Sequence, residues 1–306
     1  MDAFVFPGQG SQYQGMGKDL SENFNVAKLV FEEANDTLDF DLKGLCFTGS
    51  EEDLKLTANT QPAILTTSIA ALRVLQQETD LSPSFVAGHS LGEYSALVAS
   101  GALTFADAVK IVRKRGTYMQ EAVPFGVGSM AAILGIEGEE LIQLCKDASA
   151  GEVVAPANFN SPGQVVIAGH TTAVERAIVL AKERGAKRAL LLPVSAPFHS
   201  TLMAPAAERL RPELNSVVVS FLTCPVVSNV DALPNQDETK VVDLLVEQVC
   251  APVRWDESIV KMKELGVSRY VEIGPGRVLS GLVKRIDRAA ILKNIGDVAS
   301  LEKLQG

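Results

Sequence analysis

At both ends of the chain, short apolar runs closed by glycine or proline alternate with longer amphipathic stretches. Residues 3–6 are apolar and stop at Pro7-Gly8-Gln9-Gly10, which predicts a first strand and a tight turn. Helices are predicted over residues 22–38 and 60–77, the second opened by Thr60-Gln61-Pro62. A second strand covers 84–87 and ends at Gly88, with a helix beginning at Leu91. Thr104 is placed to cap the next helix, which runs to 120 before Pro124 and Gly126 end it. Near the C-terminus, 269–273 reads as a strand, Gly274-Pro275-Gly276 as a turn and 278–287 as a helix. Strands alternating with helices imply an α/β fold with a mostly parallel sheet covered on both faces.

The middle of the chain has another rhythm. Strands are predicted at 130–134, 153–159, 164–168 and 189–192, with helices at 139–148 and 171–184. That order, β-α-β-β-α-β, is the ferredoxin-like arrangement. It suggests a small domain at 127–192 inserted into a large domain formed by 1–126 and 193–306, with a ligand cleft at the junction. Residues 233–239 read as a polar loop.

Composition narrows the function classes. The 306 residues are 47% hydrophobic and 21% charged, the balance of a globular protein. With 28 Lys+Arg against 37 Asp+Glu the formal charge is −9, which disfavours binding to phosphate backbones, so no nucleic-acid partner is expected. No segment approaches the ~20 apolar residues of a membrane span. The opening MDAFVFPGQG lacks a basic leader, so the expected location is cytoplasmic. Cys46, Cys145, Cys224 and Cys250 never form a CxxC pair and read as reduced thiols, with no metal site. His89, His170 and His199 are the whole histidine supply, which confines any imidazole chemistry to three positions.

The strongest local motif is Gly88-His89-Ser90-Leu91-Gly92, between a strand and a helix. A sharp strand-to-helix turn demands small neighbours, lifts the Ser90 hydroxyl above the sheet and leaves the Leu91 N–H free for an oxyanion. A glycine-flanked turn with an exposed serine is the alternative. Serine needs a base. His89 adjoins Ser90 and should diverge from it, and His170 sits after a strand in the small domain. His199 follows the last small-domain strand, at the return to the large domain in a segment stiffened by Pro193 and Pro197, and with three histidines in all it is the best base. The group orienting that imidazole is left open between an acid and a backbone carbonyl. The loop after the first strand fails both phosphate-binding patterns: Tyr13 stands where a dinucleotide fingerprint needs glycine, and Gly17-Lys18 is followed by Asp19. It reads as backbone brought close to a reacting centre, with the Gln9 N–H as a second oxyanion donor, or as a tight turn only. On the helix carrying Phe105, Ala108, Val109, Val112 and Met119 as its apolar stripe, Arg115 falls on the flank, Lys114 faces away and Arg113 takes the opposite flank. A guanidinium at that edge needs an anionic partner, either an internal acid or a carboxylate in a cleft.

These segments together resemble malonyl-CoA:acyl-carrier-protein transacylases of bacterial type II fatty-acid synthesis. The likeness is carried by FVFPGQGSQ at 4–12, TQPAIL at 60–65, GHSLGEYSALV at 88–98 and RKRGTYMQEAVP at 113–124. It continues through NFNSPGQVVIAG at 158–169, GAKRAL at 185–190, PVSAPFHS at 193–200 and VEIGPGRVLSGLVKRI at 271–286. The resemblance implies an α/β-hydrolase-like large domain with a ferredoxin-like insert. It implies Ser90 as nucleophile, His199 as base, the Gln248 main-chain carbonyl holding the imidazole, and Gln9 and Leu91 N–H groups as oxyanion hole. Arg115 would bind the malonyl carboxylate, and Phe198 would crowd a branched α-carbon. Lys187, Arg188, Lys284 and Arg285 are the implied contacts for an acidic acyl-carrier protein. Malonyl-CoA is then the substrate, phosphopantetheine arrives on the partner, no cofactor is bound, and the enzyme is a monomer. A serine esterase or thioesterase is the competing expectation.

Overall fold

The computed structural model describes residues 1–194 and 196–305; Ser195, inside the 193–200 segment, lies outside the described residues. Among the described residues, eleven strands, numbered along the chain, form two sheets. The larger sheet contains β1 (Asp2–Phe6), β2 (Phe85–Gly88), β7 (Val226–Val227), β8 (Pro234–Asn235), β10 (Arg269–Ile273) and β11 (Ile291–Ile295). Its order is β11-β10-β1-β2-β7-β8, and every pair except β7–β8 is parallel. Alternate residues feed different cores. Phe4 and Phe6 join one buried cluster, whereas Ala3 and Val5 join another that includes Trp255 and Tyr270. Both faces of the sheet are thereby covered, at about 2–3 kcal/mol for each buried phenylalanine.

The smaller sheet contains β3 (Gly128–Leu134), β4 (Val154–Ser161), β5 (Gln164–His170), β6 (Arg188–Leu191) and β9 (Val253–Arg254), in the order β6-β3-β5-β4-β9. Helices Gly138–Ser149 and Thr171–Glu183 complete the expected β-α-β-β-α-β order. The fifth strand, β9, comes from outside 127–192 and pairs parallel with β4. Period-two alternation again divides the side chains. Ala131, Ile133, Val165 and Ile167 pack under the two helices, while Met130, Val166 and Ala168 face the large core.

Some expectations need correction. The helix expected over 22–38 is two, Lys18–Asn23 and Asn25–Leu38, because Phe24 is extended; its N–H closes the first on Leu20 and its carbonyl opens the second. The helix expected from residue 60 starts earlier, as Thr57–Glu78, which leaves Pro62 inside it. Proline cannot donate to the carbonyl four residues back. The Arg113 guanidinium supplies the missing donor, bonding the Ala58 carbonyl at 2.9 Å. The loop at 233–239 contains edge strand β8 and a short 3-10 turn, Glu238–Lys240. Thr104 caps helix Phe105–Glu121 as expected, accepting the Asp107 N–H at 3.1 Å.

Register positions the site. Phe6 pairs with Gly88, so β1 and β2 end side by side. Gln9 and Leu91 each lie three residues beyond that pair. This is the carboxyl edge of a parallel sheet, where crevices form.

Candidate active site

Ser90 stands on the turn between β2 and helix Gly92–Ala99 with φ +52°, a left-handed conformation that costs a non-glycine residue about 1–3 kcal/mol. Close packing explains its flanking glycines. A Cβ on Gly88 would overlap the backbone at Gly92, and one on Gly92 would overlap the Phe6 carbonyl. The side chain of Asn229, just beyond β7, braces the turn: Oδ1 accepts the Ser90 N–H and Nδ2 donates to the Gly88 carbonyl, both at 2.7 Å.

His199 also has a left-handed backbone, with φ +58°. Its Nε2 lies 2.8 Å from Ser90 Oγ, and its Nδ1 lies 2.9 Å from the Gln248 carbonyl and 3.2 Å from that of Ala251. Two carbonyls at Nδ1 require the proton there, which leaves Nε2 free to accept the Ser90 hydroxyl. Burial, reinforced by the charge of Arg115, pushes the His199 pKa down to about 3, so the imidazole is neutral.

Arg115 is only 1% exposed, deeper than a helix flank suggested. Nη1 donates to Gln61 Oε1 at 2.8 Å; Nη2 donates to Gln248 Oε1 at 2.9 Å and to Ser90 Oγ at 3.1 Å. Its guanidinium also lies 5.5 Å from the Tyr94 ring centroid. Among the described residues it forms no direct ion pair, and its Nε has no hydrogen-bond partner. The nearest balancing charge is buried Glu93, one amide away: Gln248 Nε2 donates to Glu93 Oε2 at 2.8 Å and to the Ser90 carbonyl at 3.0 Å. Desolvation raises the Glu93 pKa to about 7.

The Gln9 and Leu91 N–H groups have no hydrogen-bond partner among the described residues, and both residues line a cavity of about 120 Å³ beside Ser90. Phe198, Met130 and Asn158 close its other sides. The other histidines stay away from the hydroxyl. His89 Nε2 pairs with Asn160 Oδ1 at 2.8 Å and its ring lies against Trp255, while His170 Nδ1 accepts the Val153 N–H at 2.9 Å.

The basic residues expected to meet a partner are all exposed and outside this cavity. Arg285 Nη1 donates to Gln164 Oε1. Gln164 and Arg188 both sit opposite Leu134, which places them on one row of the small sheet, about 10 Å apart at two strand spacings. Lys284 donates to the Arg288 carbonyl at 2.6 Å, and Lys187 adjoins Arg188. The roles of Gln61, Glu93, Asn229 and the Gln248 side chain were missed. Gln61 and Glu93 fall inside quoted segments, but nothing local to Asn229 marks it.

Fold and site define a two-sheet α/β protein whose serine–histidine pair sits on a strand-to-helix elbow beside a buried arginine. The chain belongs to the acyl transferase domain family, whose pattern matches residues 3–301. It is 52% identical to the malonyl CoA-acyl carrier protein transacylase of Bacillus subtilis (strain 168) over 301 residues, covering 98% of this chain and 95% of that protein. Identity to the enzyme of the same name from Escherichia coli (strain K12) is 51% over 284 residues, 93% of this chain and 92% of the relative. An acyl carrier protein S-malonyltransferase structure from Vibrio cholerae superposes with a TM-score of 0.97 at 51% identity, covering 99% of both chains. A type II PKS acyl-carrier protein in complex with its malonyl-transacylase gives a TM-score of 0.96 at 48% identity, covering 99% of this chain and 98% of that one.

Proposed function

We propose that this protein transfers the malonyl group of malonyl-CoA to the phosphopantetheine thiol of acyl-carrier protein through a malonyl-Ser90 intermediate. The observation that carries the reading is the Ser90 hydroxyl, 2.8 Å from His199 Nε2 and 3.1 Å from Arg115 Nη2, in a chain of this family. Ser90 Oγ attacks the thioester carbonyl as its proton passes to Nε2. The Nδ1 proton stays on the ring and is donated to the Gln248 carbonyl, which steadies the imidazolium. The tetrahedral oxyanion is held by the Gln9 and Leu91 N–H groups. His199 then protonates the leaving CoA sulfur. In the second half, the carrier thiol gives its proton to His199 and attacks malonyl-Ser90, and the serine hydroxyl is restored.

Arg115 selects the acyl group. Its guanidinium rests on neutral acceptors, so a malonyl carboxylate gains a buried cation that an acetyl group leaves without a counter-charge. No bound cofactor is required by these steps. The acidic carrier meets Lys187, Arg188, Lys284 and Arg285, a local reversal of the overall −9. We read the larger sheet as an α/β-hydrolase-like unit of residues 1–126 and 193–306, and 127–192 as a ferredoxin-like insert. The strand order β6-β3-β5-β4 supports the second label. The protein acts as a cytoplasmic monomer.

Incubation with malonyl-CoA, followed by peptide mass spectrometry, tests the function. A malonyl adduct on the Ser90 peptide that acyl-carrier protein discharges much faster than water is expected. Discharge by water alone would make the protein a thioesterase.

A further inference from the structure

Asn229 and Glu93 lie outside the cavity, and the steps above use neither. Both are almost fully buried, at 1% and 3% exposure. Asn229 makes two bonds of opposite polarity across the elbow, accepting from Ser90 N and donating to Gly88 O. The carboxamide does both through its two terminal atoms, whereas an ionised aspartate would set an oxygen against the Gly88 carbonyl. Its own backbone is anchored on either side: Asn229 N donates to Glu93 Oε2 at 3.0 Å, and its carbonyl accepts Arg254 N at 3.0 Å. The same Glu93 oxygen accepts the side chain of Gln248, whose main-chain carbonyl meets His199 Nδ1.

Resting on the proposed acyl transfer, we infer that Asn229 is a positioning residue for the nucleophile and that Glu93 couples it to the base, one buried oxygen holding both the Ser90 turn and the Gln248 acceptor of His199. Taking up the Ser90 N–H also keeps that donor out of the oxyanion hole, so Gln9 and Leu91 act alone there. The carboxylate serves as a double acceptor, a role that a glutamine carbonyl at the same place can fill.

Single-turnover acylation with malonyl-CoA tests this on Asn229→Leu, Asn229→Asp, Glu93→Ala and Glu93→Gln, with thermal melting run alongside. Asn229→Leu, Asn229→Asp and Glu93→Ala should each slow acylation about 10- to 100-fold. In the two Asn229 variants the KM for malonyl-CoA and the malonyl-to-acetyl ratio should hold, because Arg115 keeps Gln61 and Gln248 as acceptors. Glu93→Gln should stay within about threefold of the parent. Should Asn229→Leu or Glu93→Ala fail to fold, the isosteric Asn229→Asp and Glu93→Gln decide alone. Parent-like acylation by Asn229→Asp, a change confined to KM, or a Glu93→Gln variant as slow as Glu93→Ala would each overturn the inference. Labelling of Ser90 by an alkyl fluorophosphonate keeps the two readings apart. If the parent labels but takes no malonyl group, the function falls, while slower labelling of the Asn229 variants still reports the positioning.

Discussion

The two walls of the cleft are held in different ways. On the large-sheet side, Gln9, Ser90 and Arg115 face the cavity, and Ser90 and Arg115 are each fixed by hydrogen bonds from elements distant in sequence. On the small-sheet side, Met130, Leu192 and Val194 form a mainly apolar wall, with Asn158 of β4 its one polar member among the described residues, set by strand alternation and by the path of the chain after β6. The first wall fixes its polar groups through several hydrogen bonds, the orientation that reaction chemistry needs. The second excludes water and limits shape. Substitutions on the polar wall should therefore have large effects on rate, and changes to the apolar boundary small effects on selectivity.

The largest effect expected is at Ser90. Ser90→Ala should abolish the malonyl adduct, read as loss of the mass increase on that peptide. His199→Ala should lower the single-turnover rate by about 10³- to 10⁴-fold and leave residual catalysis from the oxyanion donors. If it acylates at the parent rate, the two walls no longer differ in the way described. Next comes Arg115→Ala, which removes a buried charged donor worth about 3 kcal/mol. It should lower kcat/KM for malonyl-CoA about 100-fold while changing that for acetyl-CoA little, and an unchanged ratio would remove the residue from acyl selection.

How far the site could be read beforehand follows the same division. The elbow was legible because its chemistry is local: Gly88, Ser90 and Gly92 are adjacent, and steric overlap demands that spacing. His199 emerged by elimination from three histidines, and Gln248 only through the resemblance. Asn229 could not be found, because β7 is two residues long and its register beside β2 arises from tertiary packing. The β-α-β-β-α-β succession of the middle segment was legible from its apolar runs and turns, but β9 was not: two residues, Val253 and Arg254, carry no period. Arg115 was located on its helix by phase, yet its burial depends on Gln61, Gln248 and Tyr94 from elsewhere in the chain.

A pH series sharpens the comparison with a smaller effect. The depressed His199 pKa keeps the base neutral, so single-turnover acylation should show no acid limb near 6.5, the ordinary imidazole value. The two buried groups pull stability in opposite directions. An unfolded histidine takes up a proton near 6.5 that the folded one refuses until about 3, so its contribution falls as pH drops through that window. Glu93 is reversed: folded it keeps its proton to about 7, whereas unfolded it loses it near 4.5, so stability falls as pH rises between those values. Glu93→Gln should remove only the second slope, measured by denaturant midpoints from pH 4.5 to 7.5. Loss of the first slope instead would mean that the carboxyl and the imidazole titrate as one unit.

The smallest effect belongs to shape. Phe198 is 8% exposed, lines the cavity and directly precedes His199, so in the proposed transfer its ring would limit the room beside the carbon that carries the malonyl carboxylate. One extra methyl in an apolar pocket is worth about 1–3 kcal/mol. Phe198→Ala should therefore raise methylmalonyl transfer relative to malonyl by about tenfold in a competition between the two CoA esters. The malonyl rate itself should change only a few-fold, because Ser90, His199 and Arg115 keep their partners. If the rate collapses while the ratio holds, Phe198 supports the left-handed turn at His199, and the boundary between the polar and apolar walls must be redrawn to include it.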